Sequence, residues 1–244
     1  MFKNKTHIAT LIILVLVLIV GGIGWYGARE NAKTQAIKDA FPARFTEALD
    51  QGDFQGAYTL ITAAAQRDPG STELLFFQAM VTFSEAAASG DQARFMATAR
   101  QIEATLNTFK DDGISSPDFH NFWGLTFLVQ GKTDEALKHF RETLSLNPAY
   151  VPAIINIASV MESQQDYAQA RQQYQNALDI ISSNVTLPDA KRFMALASFG
   201  LARIAWFADQ DKENAESLIA QALQQRPLPP NLAKEIAAFQ GAIK

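Results

Sequence analysis

The sequence predicts an all-α protein. It reads as an α-solenoid of about five helical hairpins plus a C-terminal capping helix, preceded by one N-terminal transmembrane helix. Three observations predict this. Gly124, Phe127, Ala136, Phe140 and Leu144 return 34 residues later as Ala158, Met161, Ala170, Tyr174 and Leu178, so small and large residues keep one phase. A step of 79 residues links Pro69, Pro148 and Pro227, and takes Ala136 to Ala57 and Ala215, Phe140 to Ile61 and Ile219, and Gly131 to Gly52. Finally, Ile8 to Tyr26 is a run of 19 residues with Thr10 as its only polar side chain and no charge.

Residues 1–7 form a short basic tail with Lys3 and Lys5, and residues 8–27 read as a transmembrane signal-anchor. At about 1.5 Å per residue, such a helix roughly spans a hydrocarbon core of about 30 Å. Trp25 and Tyr26 fall where interfacial aromatic residues belong. The competing reading is a cleaved secretory signal, with the small residues Gly22 and Gly24 near the cut. A lipoprotein anchor is excluded, because it needs a cysteine and the sequence has none. Arg29, Lys33 and Lys38 follow the span, so positive charge alone does not orient it. A very short basic tail ahead of the first apolar run is the usual form of a signal-anchor. The expectation is therefore a single-pass inner (cytoplasmic) membrane protein with its repeats in the periplasm. Residues 28–37 are a short linker, and residues 38–244 form the repeat domain.

The hairpins are expected at 38–69, 72–106, 117–148, 151–182 and 188–227. The third is the clearest. Trp123, Phe127, Leu137 and Phe140 give apolar faces at helical spacing, while Gly124 and Ala136 let the two helices approach. Gly131 ends the first helix, and Pro148 stops the second. In the second hairpin the turn at Gly90-Asp91 falls about one helical turn late. The extra residues that make 79 out of two 34-residue units fall near 106–116 and 185–195, where Asp111-Asp112-Gly113, Ser115-Ser116-Pro117, Ser182-Ser183-Asn184 and Pro188 signal loops. Leu232, Ile236, Phe239 and Ile243 make one further stripe, the capping helix.

The series Trp123, Gly124, Phe127, Gly131, Ala136, Phe140, Thr143 and Pro148 resembles the tetratricopeptide repeat, with Thr143 as the departure from its final alanine. The resemblance implies tetratricopeptide-like hairpins that bind protein, with the first helix of each pair lining a concave surface. The residues this assigns to a partner-binding groove are Phe76, Phe77, Met80 and Phe83, then Phe122, Leu125 and Leu128. Ile155, Asn156 and Ser159 follow in the fourth hairpin, and Leu201, Ile204 and Phe207 in the fifth. Family members that capture a chain-terminal carboxylate use Lys and Asn, then Asn, then Lys with Arg. Here Asn156 matches the middle residue, but Asn121 and Leu125 precede it and no Lys-Arg pair follows. An apolar or amphipathic segment laid in the groove fits better. The same face also reads as core, filled by the chain itself or packed in a homo-oligomer.

Chemistry is sparsely represented. His120 and His139 fall on opposite helices of one hairpin without a further ligand at metal-binding spacing, and His7 borders the apolar run. Phosphate loops, nucleophile elbows and cysteine nucleophiles are missing from the sequence. No catalytic residue, cofactor or metal is expected. Setting aside Lys3 and Lys5 leaves 19 basic against 25 acidic side chains, a net of about minus six, which speaks against a nucleic-acid partner. The function expected is a membrane-tethered protein-protein interaction module, a scaffold or assembly factor of a cell-envelope complex. A non-catalytic subunit of a membrane enzyme or transport complex, and a periplasmic holdase-like chaperone, are the alternatives. The expected partners are membrane or envelope proteins, together with the membrane itself through residues 8–26.

Overall fold

The computed structural model describes residues 44–49, 51–66, 71–111, 116–184, 187, 189–225 and 228–243. The predicted tail, span and linker lie outside them. Every regular element among the described residues is helical: a segment at 44–49, then α1 (Phe54–Ala65), α2 (Thr72–Ala88), α3 (Gln92–Asp111), α4 (Pro117–Val129) and α5 (Thr133–Leu146). These are followed by α6 (Val151–Ser163), α7 (Tyr167–Ser183), α8 (Ala190–Phe207), α9 (Lys212–Gln224) and α10 (Pro230–Ile243). None of the described helices is long and apolar enough to cross a membrane. Among the described residues the chain divides into two units, one within residues 18–139 and one within residues 140–244.

The hairpin turns share one backbone device. Gly52, Gly90 and Gly131 have φ of 71°, 70° and 75°, the left-handed region where a side chain is strained. Gln165 and Gln210 hold the same place in the last two hairpins, with φ of 64° and 54°. In four of these turns the very next residue is an aspartate that caps the following helix. Asp53, Asp91, Asp166 and Asp211 accept from the backbone N–H of Gly56, Arg94, Gln169 and Asn214 at 2.8, 3.0, 3.2 and 3.0 Å. The third hairpin has Lys132 instead of an aspartate. Its ammonium reaches Glu103 on α3 at 2.8 Å and sits 5.2 Å above the Phe127 ring. Burial works against the Glu103 charge, but the hydrogen bonds from Lys132 and Gln130 outweigh it and hold this carboxyl below its usual range.

Because glycine relieves the left-handed strain at some cost in chain entropy, Gln165→Gly and Gln210→Gly are each expected to stabilise the protein by about 0.5 kcal/mol. Urea denaturation of the single and double variants checks this. The two gains should add, since the turns share no partners.

The unit of residues 18–139 is held by aromatic packing. Phe45 meets Phe77 at 5.0 Å, Phe76 meets Phe122 at 5.4 Å, and Phe83 bridges Phe122 at 5.4 Å and Phe95 at 4.8 Å. Offset and edge contacts of this kind add about 0.5–1.5 kcal/mol beyond burial. In the unit of residues 140–244, α6 packs on α7, α7 on α8, and α8 on α9. The stripe of α10 then closes the end, with Leu232, Ile236 and Ile243 buried and Phe239 edge-on to Phe199 at 5.5 Å.

Part of each stretch of extra residues beyond the 34-residue units is helical. α3 has 20 residues and runs on to Asp111, while α8 has 18 and begins at Ala190. Buried side chains explain the extension: Leu106 of α3 and Phe193 of α8 are packed inside, so those turns stay helical.

Candidate functional site

The structure places most of the predicted groove residues in the protein's own interior. Phe77, Met80, Phe83, Phe122, Leu125, Leu128, Ile155, Asn156, Ser159, Leu201 and Ile204 are all buried. Phe76 is half-buried within the aromatic packing, and Phe207 alone of the set is exposed, at 53%. For these side chains the reading as core describes their surroundings; an open groove does not. Helical spacing cannot separate the two, because first-helix residues carry an apolar stripe in either case. Leu125, expected to face a partner, has no exposed surface at all.

The buried polar residues of the predicted set lead to a cluster that sequence reading did not single out. In the unit of residues 140–244, Tyr174 on α7 takes the place that Phe140 holds one repeat earlier, and its hydroxyl needs partners once buried. It donates to Glu162 Oε2 at 2.8 Å. Its oxygen lies 3.2 Å from Ser159 Oγ and 3.3 Å from Arg203 Nη2. Since the phenol hydrogen goes to Glu162, Ser159 is the donor in its own contact. Arg203 of α8 grips Glu162 through both oxygens, Nε to Oε1 at 2.7 Å and Nη2 to Oε2 at 2.8 Å, and its guanidinium lies 4.7 Å over the Phe199 ring.

The electrostatics follow from the burial. Burial, then the Glu162 charge, pushes the Tyr174 phenol well above its ordinary range, so it stays protonated. Burial works against the charge on Arg203, but the facing Glu162 carboxylate prevails and the guanidinium stays charged. The arrangement ties α6, α7 and α8 together.

Two further features bear on function. His120 and His139, on opposite helices of one hairpin, meet at 3.2 Å. Among the described residues there is no group of three or more His, Cys, Asp or Glu side chains able to hold a metal ion. Leu75, Leu146 and Phe207 are the large apolar side chains exposed at 47%, 45% and 53%.

Comparison with known proteins agrees with the hairpins. Residues 127–184 match the family model described as tetratricopeptide repeat. Proteins built on this repeat act as protein-protein interaction modules. The uncharacterized protein ycf37 of Pyropia yezoensis is 29% identical over 85 residues, 35% of this chain and 48% of the relative. The chain thus spans about half the length of that curated relative. Two crystal structures of MamA resemble the fold at TM-scores of 0.44 and 0.42, with 14% and 16% identity. They cover 74% and 78% of this chain, and 93% and 91% of their own.

Proposed function

We propose that the chain is a membrane-tethered interaction module, anchored through residues 8–26, that scaffolds a cell-envelope complex from the periplasmic side of the inner membrane. The observation that carries the reading is the coupling in one chain of an uncharged apolar run to tetratricopeptide hairpins, which present surface to other proteins. The partner segment is apolar or amphipathic. Its contact begins at Phe207, the exposed member of the first-helix face, which lies 5.9 Å from the Phe239 ring.

Recovery of partners from detergent-solubilised native membranes tests this. A stable stoichiometric partner is expected with the wild-type chain and not with Phe207→Asp, whose helicity and melting should be unchanged because the side chain is half outside already. Many substoichiometric clients would instead mark a holdase. Resistance to alkaline carbonate extraction and an intact N-terminus are expected of the anchor, whereas a mature chain beginning after Gly24 would overturn it. Activity of a periplasm-only reporter fused after Lys38 decides the side of the membrane.

A further inference from the structure

His120 on α4 and His139 on α5 face each other Nδ1 to Nδ1 at 3.2 Å. Their ring planes differ by 23° and their centroids are 5.5 Å apart, the span of two imidazoles joined edge to edge in nearly one plane. Each ring nitrogen therefore points at the other. The face of His139 lies on Trp123, with centroids 4.4 Å apart, and near Phe127 at 5.3 Å; His120 meets Phe119 edge-on at 5.5 Å.

A neutral imidazole carries one N–H and an imidazolium carries two. The gap between the two Nδ1 atoms has room for a single hydrogen, which one ring donates and the other accepts. One added proton goes to an Nε2 nitrogen and leaves this bond intact, now charge-assisted. A second puts a hydrogen on both facing nitrogens, and the contact has to open.

We propose that the third hairpin is fastened by a proton-operated clasp: His120 and His139 hold α4 against α5 while they share one Nδ1 hydrogen, and part when both become imidazolium. Opening draws His139 off the Trp123 face. Among the described side chains, the charged groups on the surrounding elements are Asp118 on α4, Asp134, Glu135, Lys138, Arg141 and, three residues past His139, Glu142 on α5, and Arg94, Arg100 and Glu103 of α3, the last engaged by Lys132 at 2.8 Å. Whichever of these approaches an Nε2 nitrogen, the space between the Nδ1 atoms still admits one hydrogen. The sign of the pH effect follows. In the unfolded chain each imidazole takes up its own proton below about pH 6.5, while the closed clasp accepts one fewer, so stability rises with pH across that range and falls on acidification.

The test compares the full chain with His120→Gln, whose amide can donate or accept and so meets His139 in either state. Between about pH 7.5 and about pH 5, spanning the ordinary histidine range, the wild-type melting temperature should fall by about 3 °C more than that of the variant. Equal falls in both would overturn the clasp. Should His120→Gln fail to fold, nitrogen-15 spectra of the wild type decide the matter. A two-bond coupling between the two Nδ1 nuclei is expected at neutral pH, lost together with a shift of the Trp123 indole signal on acidification. Absence of that coupling at neutral pH, or two imidazolium rings with the Trp123 signal unmoved, would overturn it as well.

Discussion

Glu162→Ala is expected to destabilise the unit of residues 140–244 by about 3–5 kcal/mol, the range for removing one partner of a buried ion pair. The size of the effect comes from what is left behind. Arg203 has a side-chain exposure of 7% and takes both of its Glu162 bonds at 2.7 and 2.8 Å, so it would stay buried without its close counter-charge. Tyr174 would lose its acceptor at the same time. Adding Arg203→Met to Glu162→Ala should recover most of the loss, because a well-packed apolar side chain often replaces a buried charge at little cost. Urea denaturation of both single variants and the double gives the coupling directly. If the two losses simply add, Arg203 has another adequate partner and the pair does not govern the packing of α8.

Gly200→Ala should also be destabilising, by about 1–3 kcal/mol, where the same change inside a helix ordinarily gains about 0.5–1 kcal/mol. A Cβ on Gly200 would overlap the ring of Tyr174. That ring is fully buried and its hydroxyl is held by Glu162, Ser159 and Arg203, so it cannot give way without loosening those bonds. Gly241→Ala on α10 is the matched control, since nothing lies near its added carbon. Thermal melting of the two variants should move in opposite directions. A stabilised Gly200→Ala would mean that Tyr174 can shift freely, against the bonds seen around it.

These two residues show where the sequence could and could not be read. The hairpins were legible because Gly131, Ala136 and Phe140 do the same physical work at each recurrence: a left-handed turn, a close approach, a large side chain in the core. The turn stays legible even where glycine is replaced by Gln165 and Gln210, since spacing marks it as well as residue type. The polar cluster was harder. An arginine at position 203 and a glutamate at position 162 each read as solvated helix faces, and nothing in a helical period says that they converge. The available signal was Tyr174, an aromatic core position carrying a hydroxyl, whose burial demands partners within reach. The predicted groove erred in the other direction. Leu125 and Ile155 lie on a real apolar stripe, but both sides of their helices are covered, and periodicity locates one stripe without counting the neighbours.

The left-handed turn residue sets where the chain can change its length. Within the hairpins, three residues separate α2 from α3, α4 from α5, and α6 from α7, and four separate α8 from α9. One residue added inside such a turn would rotate the following helix by roughly 100° and carry its alanine and aromatic side chains off the facing helix. Between hairpins the count varies more, with four residues from α5 to α6 and six from α7 to α8. Insertions and deletions should therefore accumulate at the joints between hairpins and be purged from the bends within them, so that descendants of this sequence drift in repeat spacing while each bend keeps its count.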